Sequence, residues 1–175
     1  MKKIEFRNDI LPLKNVLFRL ALRITLNREE AEDVVQETMM KMWSLREEWE
    51  KIESIEAFCL KICRNLAIDK TRRAATGNIS LEEQREAGYE SPDHSYTASP
   101  EQQAIANDRL EMVRRLVETL PEKQRSIIQL RDFEGKSYKE IATVLGISEE
   151  QVKVYLHRAR NTIKQKYTAT DKYGL

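Results

Sequence analysis

The stretch SYKEIATVLGISEEQVKVYLHRAR, residues 137–160, decides the fold of the carboxy-terminal part of the chain. Two short helical patterns flank Gly146, at a point where a tight turn requires a left-handed backbone that glycine adopts without strain. Ser148 and Gln151 have the spacing of a capping box, which begins the second helix. Ile141 and Leu145 are spaced to face a hydrophobic core. The stretch therefore predicts a helix-turn-helix.

The second helix of this stretch has two different faces at about 100° of rotation per residue. The apolar arc consists of Val152, Leu156, Ala159 and Ile163. The outward arc consists of Glu150, Val154, His157 and Asn161, and it is flanked by Lys153 and Arg158. A valine within a basic outward face suits a thymine methyl group in the major groove, and its basic neighbours can reach guanine edges or phosphates. The alternative is a solvated helix of an ordinary bundle.

The distribution of charge divides the 175-residue chain into three parts, although its net charge is only +1. Residues 76–98 carry five acidic groups and one basic group, and the parts on either side are slightly basic. Few glycines and prolines and many strong helix formers favour an all-α protein. We therefore predict two small helical domains, residues 1–75 and 99–175, joined by a flexible acidic linker, residues 76–98. SPEQ at 99–102 is a strong start for the second domain.

Several classes of protein do not fit this sequence. Cys59 and Cys63 lie four residues apart on one predicted helix, where small apolar side chains fill a hydrophobic core, and no cluster of further metal ligands accompanies them. No apolar run is long enough to span a membrane, so a cytoplasmic location is expected. We also find no Gly-rich phosphate loop and no nucleophile paired with a base. The sequence therefore predicts no metal, no cofactor and no enzyme.

A second surface lies on the helix that begins after Asn27. Its outward arc carries a methionine among acidic and polar residues: Asp33, Gln36, Glu37, Met40 and Ser44. An exposed methionine beside acids is typical of a contact surface for a partner protein. A solvated helix face with one stray methionine is an equally acceptable interpretation of this helix alone.

Aromatic and basic residues follow this helix. Trp43 and Trp49 lie in a polar segment, where exposed rings could stack on unpaired bases, although both could instead belong to the hydrophobic core. The next helix ends in CRNLAIDKTRR, which contains Arg64, Arg72 and Arg73. Basic residues in a last turn also complement the helix dipole, so this feature is weak by itself.

Three motifs together resemble the extracytoplasmic-function (ECF) sigma factors of the sigma-70 family. They are ALRITLNREEAEDVVQETMMKMW at 21–43, IEAFCLKICRNLAIDKTRR at 55–73, and the segment 120–160 that begins LPEKQRSIIQL. The resemblance implies a non-enzymatic factor that joins core RNA polymerase, recognises the −10 and −35 promoter elements and directs transcription initiation. It further implies an anti-sigma factor as a partner.

The resemblance also implies roles for individual residues. The expected contacts with core polymerase are Asp33, Gln36, Glu37, Met40 and Lys41. The expected contacts with −10 DNA are Trp43, Trp49, Arg64, Asn65, Arg72 and Arg73. The expected contacts with −35 DNA are Gln151, Lys153, Val154, His157, Arg158 and Arg160.

Two other interpretations account for less of the sequence. A helix-turn-helix regulator that does not join polymerase would leave the AEDVVQE motif at 31–37 without a role. A helical scaffold or an anti-sigma partner would leave both basic helices unexplained.

Overall fold

The computed structural model describes residues 3–76 and 100–172, and the regular elements in these two ranges are all helical. The amino-terminal block, residues 3–76, opens with a π-helical turn and a 3-10 turn, Phe6–Ile10 and Leu11–Leu13. Its three main helices are α1 (Lys14–Thr25), α2 (Arg28–Ser44) and α3 (Ile55–Thr76), with a 3-10 segment, Arg46–Lys51, between α2 and α3.

The carboxy-terminal block, residues 100–172, contains four helices. They are α4 (Pro100–Glu118), α5 (Glu122–Ile128), α6 (Tyr138–Leu145) and α7 (Glu149–Lys172). A π-helical segment, Gln129–Phe133, continues α5 without a break. The prediction of an all-α fold is confirmed. The predicted linker lies outside the described residues except for Thr76, which is still part of α3, and Ser99 also lies outside them.

Helices α1, α2 and α3 pack together around the apolar faces that their sequence spacing predicts. Leu17, Leu20 and Ile24 of α1 are buried, as are Cys59 and Cys63 of α3. Asn27 caps α2 by accepting a hydrogen bond from the Glu30 backbone N–H at 3.0 Å. Helical turns already begin at Phe6, ahead of α1.

The helix-turn-helix is confirmed in its local details. Gly146 adopts φ +68 and its N–H donates to the Ala142 carbonyl at 2.8 Å. Ser148 and Gln151 exchange hydrogen bonds, from the Gln151 N–H to Ser148 Oγ at 3.1 Å and from the Ser148 N–H to Gln151 Oε1 at 3.0 Å. Val152, Leu156 and Ala159 are buried beneath α7. This packing fixes the side of α7 that faces outward.

The two blocks also contact each other. Helix α1 packs against α5, and α3 packs against α6. The buried apolar residues form one continuous cluster that includes Leu17 and Leu60 of the first block and Ile127 and Ile141 of the second. The same arrangement therefore holds the helix-turn-helix against the last helix of the amino-terminal block.

Candidate nucleic-acid interface and docking groove

The reading face of α7, which we define as Lys153, Val154, His157 and Arg158, is exposed along its whole length. Val154 is about half exposed, whereas Val152, two residues earlier on the same helix, is fully buried. The Lys153 Nζ lies 5.6 Å from the centre of the Tyr138 ring, at the start of α6. An aromatic ring in this position orients the ammonium group by a cation–π interaction. The face thus combines two basic groups, an imidazole and an apolar contact.

Two other residues predicted for −35 DNA have structural partners at the edges of this face. The side-chain oxygen of Gln151 is engaged in the cap of α7, which leaves its amide NH₂ for other contacts. Arg160 makes a two-pronged ion pair with Asp132 of the π-helical segment, with 3.1 Å from Nε to Oδ2. The hydrogen bond with Asp132 raises the pKa of Arg160. Both residues therefore fix α7 in place.

The aromatic cluster, which we define as Phe6, Trp43 and Trp49, joins the end of α2 to the amino-terminal turn. The rings of Phe6 and Trp43 meet edge to face at 5.6 Å between centres, and Phe6 stacks on Trp49 at 6.5 Å. Trp43 is 52% exposed, and the guanidinium of Arg46 lies 4.9 Å from its ring centre. Phe6 was not among the residues predicted from the sequence. The available signal was a single aromatic residue in a polar amino-terminal segment.

Of the two alternatives left open for Trp49, the structure shows the buried ring and not a ring exposed for stacking. Its side chain is only 7% exposed, and its indole N–H donates to the Met42 carbonyl at 2.9 Å. A buried tryptophan usually satisfies its one polar group in this way. Trp49 therefore supports the cluster from inside, and Trp43 is the ring that faces outward.

The basic residues of α3 fall into two environments. Asn65, Arg72 and Arg73 are exposed. Arg64 is 7% exposed and makes two hydrogen bonds to the Glu122 carboxylate of α5. Arg64 is therefore not accessible to DNA in this arrangement of the two blocks, and its contact with −10 DNA stays a prediction. The reason is the tertiary contact with α5, which local sequence cannot reveal.

A docking groove of about 520 Å³ opens between α2 and α3. Its lining residues are Glu37, Met40, Lys41, Ser44, Ile62, Asn65 and Leu66. Met40 is 71% exposed, and Asp33 and Gln36 are exposed on the same helix. Glu37 pairs with Lys70 of α3 at 3.3 Å. The groove thus brings together three of the predicted polymerase contacts, Glu37, Met40 and Lys41, and Asn65, which was predicted to contact DNA.

The two cysteines are buried in the hydrophobic core, as predicted. Burial raises the pKa of each thiol to about 12, and the Cys63 thiol donates to the Leu17 carbonyl at 3.3 Å. Within residues 3–76 and 100–172, no group of three or more His, Cys, Asp or Glu side chains is placed to hold a metal ion. None of the helices in these ranges is both long and apolar enough to cross a membrane.

Two protein families match the chain in succession. Residues 10–76 match Sigma-70 region 2, and residues 110–163 match Sigma-70, region 4. The ECF RNA polymerase sigma factor SigL of Mycobacterium tuberculosis is 35% identical over 153 residues, which cover 85% of this chain and 81% of SigL. The chain belongs to the ECF sigma factor family. Region 2 of this ECF sigma factor contains the docking groove and both tryptophans of the aromatic cluster, and region 4 contains the helix-turn-helix.

A further sigma factor relative and two solved structures are also similar to this chain. The sigma-E factor of Streptomyces coelicolor is 27% identical, with 96% of this chain and 89% of the relative covered. The fold is similar to that of the sigma factor RpoE in complex with the anti-sigma factor NepR from Bartonella quintana, with a TM-score of 0.69, 24% identity and coverage of 91% and 94%. CnrH in complex with the cytosolic domain of CnrY has a TM-score of 0.65, 20% identity and coverage of 94% and 88%.

Proposed function

We propose that this ECF sigma factor binds core RNA polymerase and directs promoter-specific initiation by recognising the −10 and −35 elements. One observation carries the proposal: the same chain leaves both the docking groove and the reading face uncovered. A regulator that does not join polymerase needs the reading face but has no use for the groove. The factor itself performs no catalytic step, because the polymerase supplies the chemistry of RNA synthesis, and we place it in the cytoplasm.

The docking groove is the proposed site for core polymerase. Met40 supplies an exposed, adaptable apolar contact, and flexible methionines suit such surfaces. The acidic residues Asp33 and Glu37 flank it, while Gln36 and Lys41 provide hydrogen-bonding groups. A basic surface on the polymerase would complement the acids and speed its association with them.

The −10 element is assigned to the outer side of the aromatic cluster and to the end of α3. The exposed ring of Trp43 is available to stack on an unpaired base, and such stacking contributes about 1–3 kcal/mol per base. Arg72 and Arg73 would contact backbone phosphates beyond the cluster. Trp49 acts here by holding Trp43 in place. Asn65 lies in the docking groove, so it contacts DNA only if bound polymerase leaves its side chain uncovered.

The −35 element is assigned to the reading face. In a helix-turn-helix the second helix lies in the major groove and its amino-terminal half contacts the bases. Lys153 and Val154 lie in that half, and we assign base contacts to them. Arg158 is assigned a phosphate contact. Gln151 and Arg160 act at the margins, where they hold α7 in position and can reach the DNA backbone.

The division of labour follows the predicted domains. Residues 1–75 bind polymerase and the −10 element, residues 99–175 bind the −35 element, and residues 76–98 connect them. Two similar folds were solved in complexes, one with the anti-sigma factor NepR and the other with the cytosolic domain of CnrY. We accordingly propose that an anti-sigma factor also binds this chain.

Two measurements with core polymerase test the proposal. The full chain should co-elute with core polymerase on gel filtration. Run-off transcription over a genomic library should then yield discrete start sites that share −10 and −35 sequences, and core polymerase alone should not produce them. A chain that binds DNA fragments but does not co-elute with polymerase would favour the alternative, a plain helix-turn-helix regulator.

A further inference from the structure

The contact between Arg64 and Glu122 joins the two blocks at the helix that is assigned to −10 DNA. Arg64 Nε donates to Glu122 Oε1 at 3.1 Å, and Arg64 Nη2 donates to Oε2 at 2.9 Å. This is the two-pronged geometry that a guanidinium forms with a carboxylate, and it forms the same geometry with a phosphate. The Glu122 carboxylate therefore occupies the donors that a DNA phosphate would use.

Glu122 is itself held for this contact. It is the first residue of α5, where the helix dipole favours a negative charge. Ser126 lies one turn after Glu122 and is fully buried, and its hydroxyl donates to Glu122 Oε1 at 2.7 Å. Arg64, on the other side of the pair, is only 7% exposed. A DNA phosphate cannot reach this guanidinium unless α5 moves away from α3.

Other polar contacts across the boundary hold α5 and the segment after it in the same position. Arg19 of α1 makes a two-pronged ion pair with Glu134, with 2.9 Å from Nη2 to Oε2. Lys136 pairs with Glu56 at the start of α3. Arg23 of α1 donates to Gln129 Oε1 at 2.9 Å. These charged and polar contacts surround the apolar cluster that the two blocks share, and competing charges can replace them.

The contact between the two blocks covers Arg64 but leaves the other proposed binding surfaces exposed. The docking groove and the reading face are both open while Arg64 is covered. Core polymerase could therefore bind region 2 of the closed chain before any rearrangement. Contact between Arg64 and DNA would come only after α5 has separated from α3.

We propose that the Arg64–Glu122 pair is an autoinhibitory contact that withholds Arg64 from promoter DNA until the two blocks separate. That the DNA is a promoter rests on the function proposed above, whereas the covering of Arg64 against duplex DNA of any sequence does not. The free chain then binds duplex DNA without using Arg64. Release of the pair adds a phosphate contact on α3.

The test is the affinity of the full chain for a fluorescein-labelled DNA duplex, measured by fluorescence anisotropy at low ionic strength. Glu122→Gln removes the carboxylate charge that holds Arg64. The matched control is Glu111→Gln, which removes the same charge from a pair that stays within α4, Glu111 with Arg115. Ser126→Ala weakens the support of Glu122 without changing the charge. Circular dichroism checks that each variant remains folded.

Glu122→Gln is expected to bind the duplex about tenfold more tightly than Glu111→Gln, within the range of about 5- to 150-fold that is usual for coupling between sites. Ser126→Ala should also raise the affinity for the duplex, but by a smaller factor than Glu122→Gln. Adding Arg64→Gln to Glu122→Gln should remove the gain, whereas Arg64→Gln alone should change the affinity of the free chain little. These results together would support the contact as autoinhibitory.

Two results would overturn the proposal. One is an equal affinity of Glu122→Gln and Glu111→Gln. The other is a gain that persists when Arg64→Gln is added, since Arg64 would then not be the group released. Run-off transcription by the unaltered chain with core polymerase is measured separately. Its absence would refute the proposed function, whatever the duplex affinities show.

Discussion

Two glutamates of α2 provide a matched test of the docking groove. Glu37 pairs with Lys70 at 3.3 Å and lines the groove. Glu32 pairs with Arg28 at the same distance and does not line it. The two carboxylates have similar exposure, 49% and 58%. Glu37→Lys and Glu32→Lys therefore make the same change in charge on one helix and differ in whether the groove is affected.

The cost in stability should be small and similar for both variants. Loss of an exposed ion pair costs about 0.2–1 kcal/mol. The new lysine then faces a like charge, which adds about 1 kcal/mol at 4 Å in water. The total of about 2 kcal/mol or less is well below a typical free energy of unfolding of about 5–15 kcal/mol. Both variants should therefore fold, and urea denaturation measures the difference directly.

The cost in polymerase binding should differ. Glu37→Lys places a positive charge where we assign a basic partner surface, so we expect at least a tenfold rise in the Kd for core polymerase, about 1.4 kcal/mol. Glu32→Lys should change the Kd by less than about threefold, which is within the usual effect of a distant surface charge. Biolayer interferometry with immobilised core polymerase measures both values. Equal affinities of the two variants would refute the assignment of the groove.

The other predictions concern the turn, the reading face and the buried thiols. Gly146→Ala should destabilise the chain by about 1–2 kcal/mol in urea denaturation, because nothing crowds the added Cβ and only the left-handed backbone is costly; no loss would contradict this reasoning. Lys153→Ala should cost about 1–3 kcal/mol on the preferred −35 sequence alone, whereas Arg158→Ala should weaken all sequences similarly and lower the salt slope by roughly one unit, as transcription from a randomised −35 library and salt titrations would show. Cys59 and Cys63 should resist a thiol reagent until urea is added. Because burial raises their pKa from 9.0 to about 12, their contribution to stability should be complete below pH 9 and be lost as pH rises toward 12; stability that is constant over this range would contradict it.

The helix-turn-helix could be predicted in detail because its determinants are local. Gly146, Ser148 and Gln151 lie within six consecutive residues, and their backbone and capping contacts need no distant partner. The faces of α2 and α7 were also predictable, since helical spacing separates buried from outward residues. Met40 and Val154 are exposed for this reason, and the sequence placed both of them on the outward side.

Local patterns could not distinguish the two tryptophans. Both lie in the same polar segment, and their environments depend on Phe6 and on the Met42 carbonyl at the end of α2. The folded chain buries Trp49 and leaves Trp43 half exposed. The difference arises from packing between segments that are distant in sequence, and the spacing of residues within one helix does not reveal such packing.

The sequence by itself determined the helical class, the turn before α7, the outward faces of α2 and α7 and the burial of both cysteines, because each follows from propensity, spacing or capping within a few residues. Only the tertiary structure decided which basic residues are accessible. Arg64 has the same chemistry as Arg72 and Arg73, but it meets a carboxylate 58 residues away in sequence. A charged pair of this kind forms only when two helices have docked, so its partner and its burial are properties of the packing rather than of the local sequence.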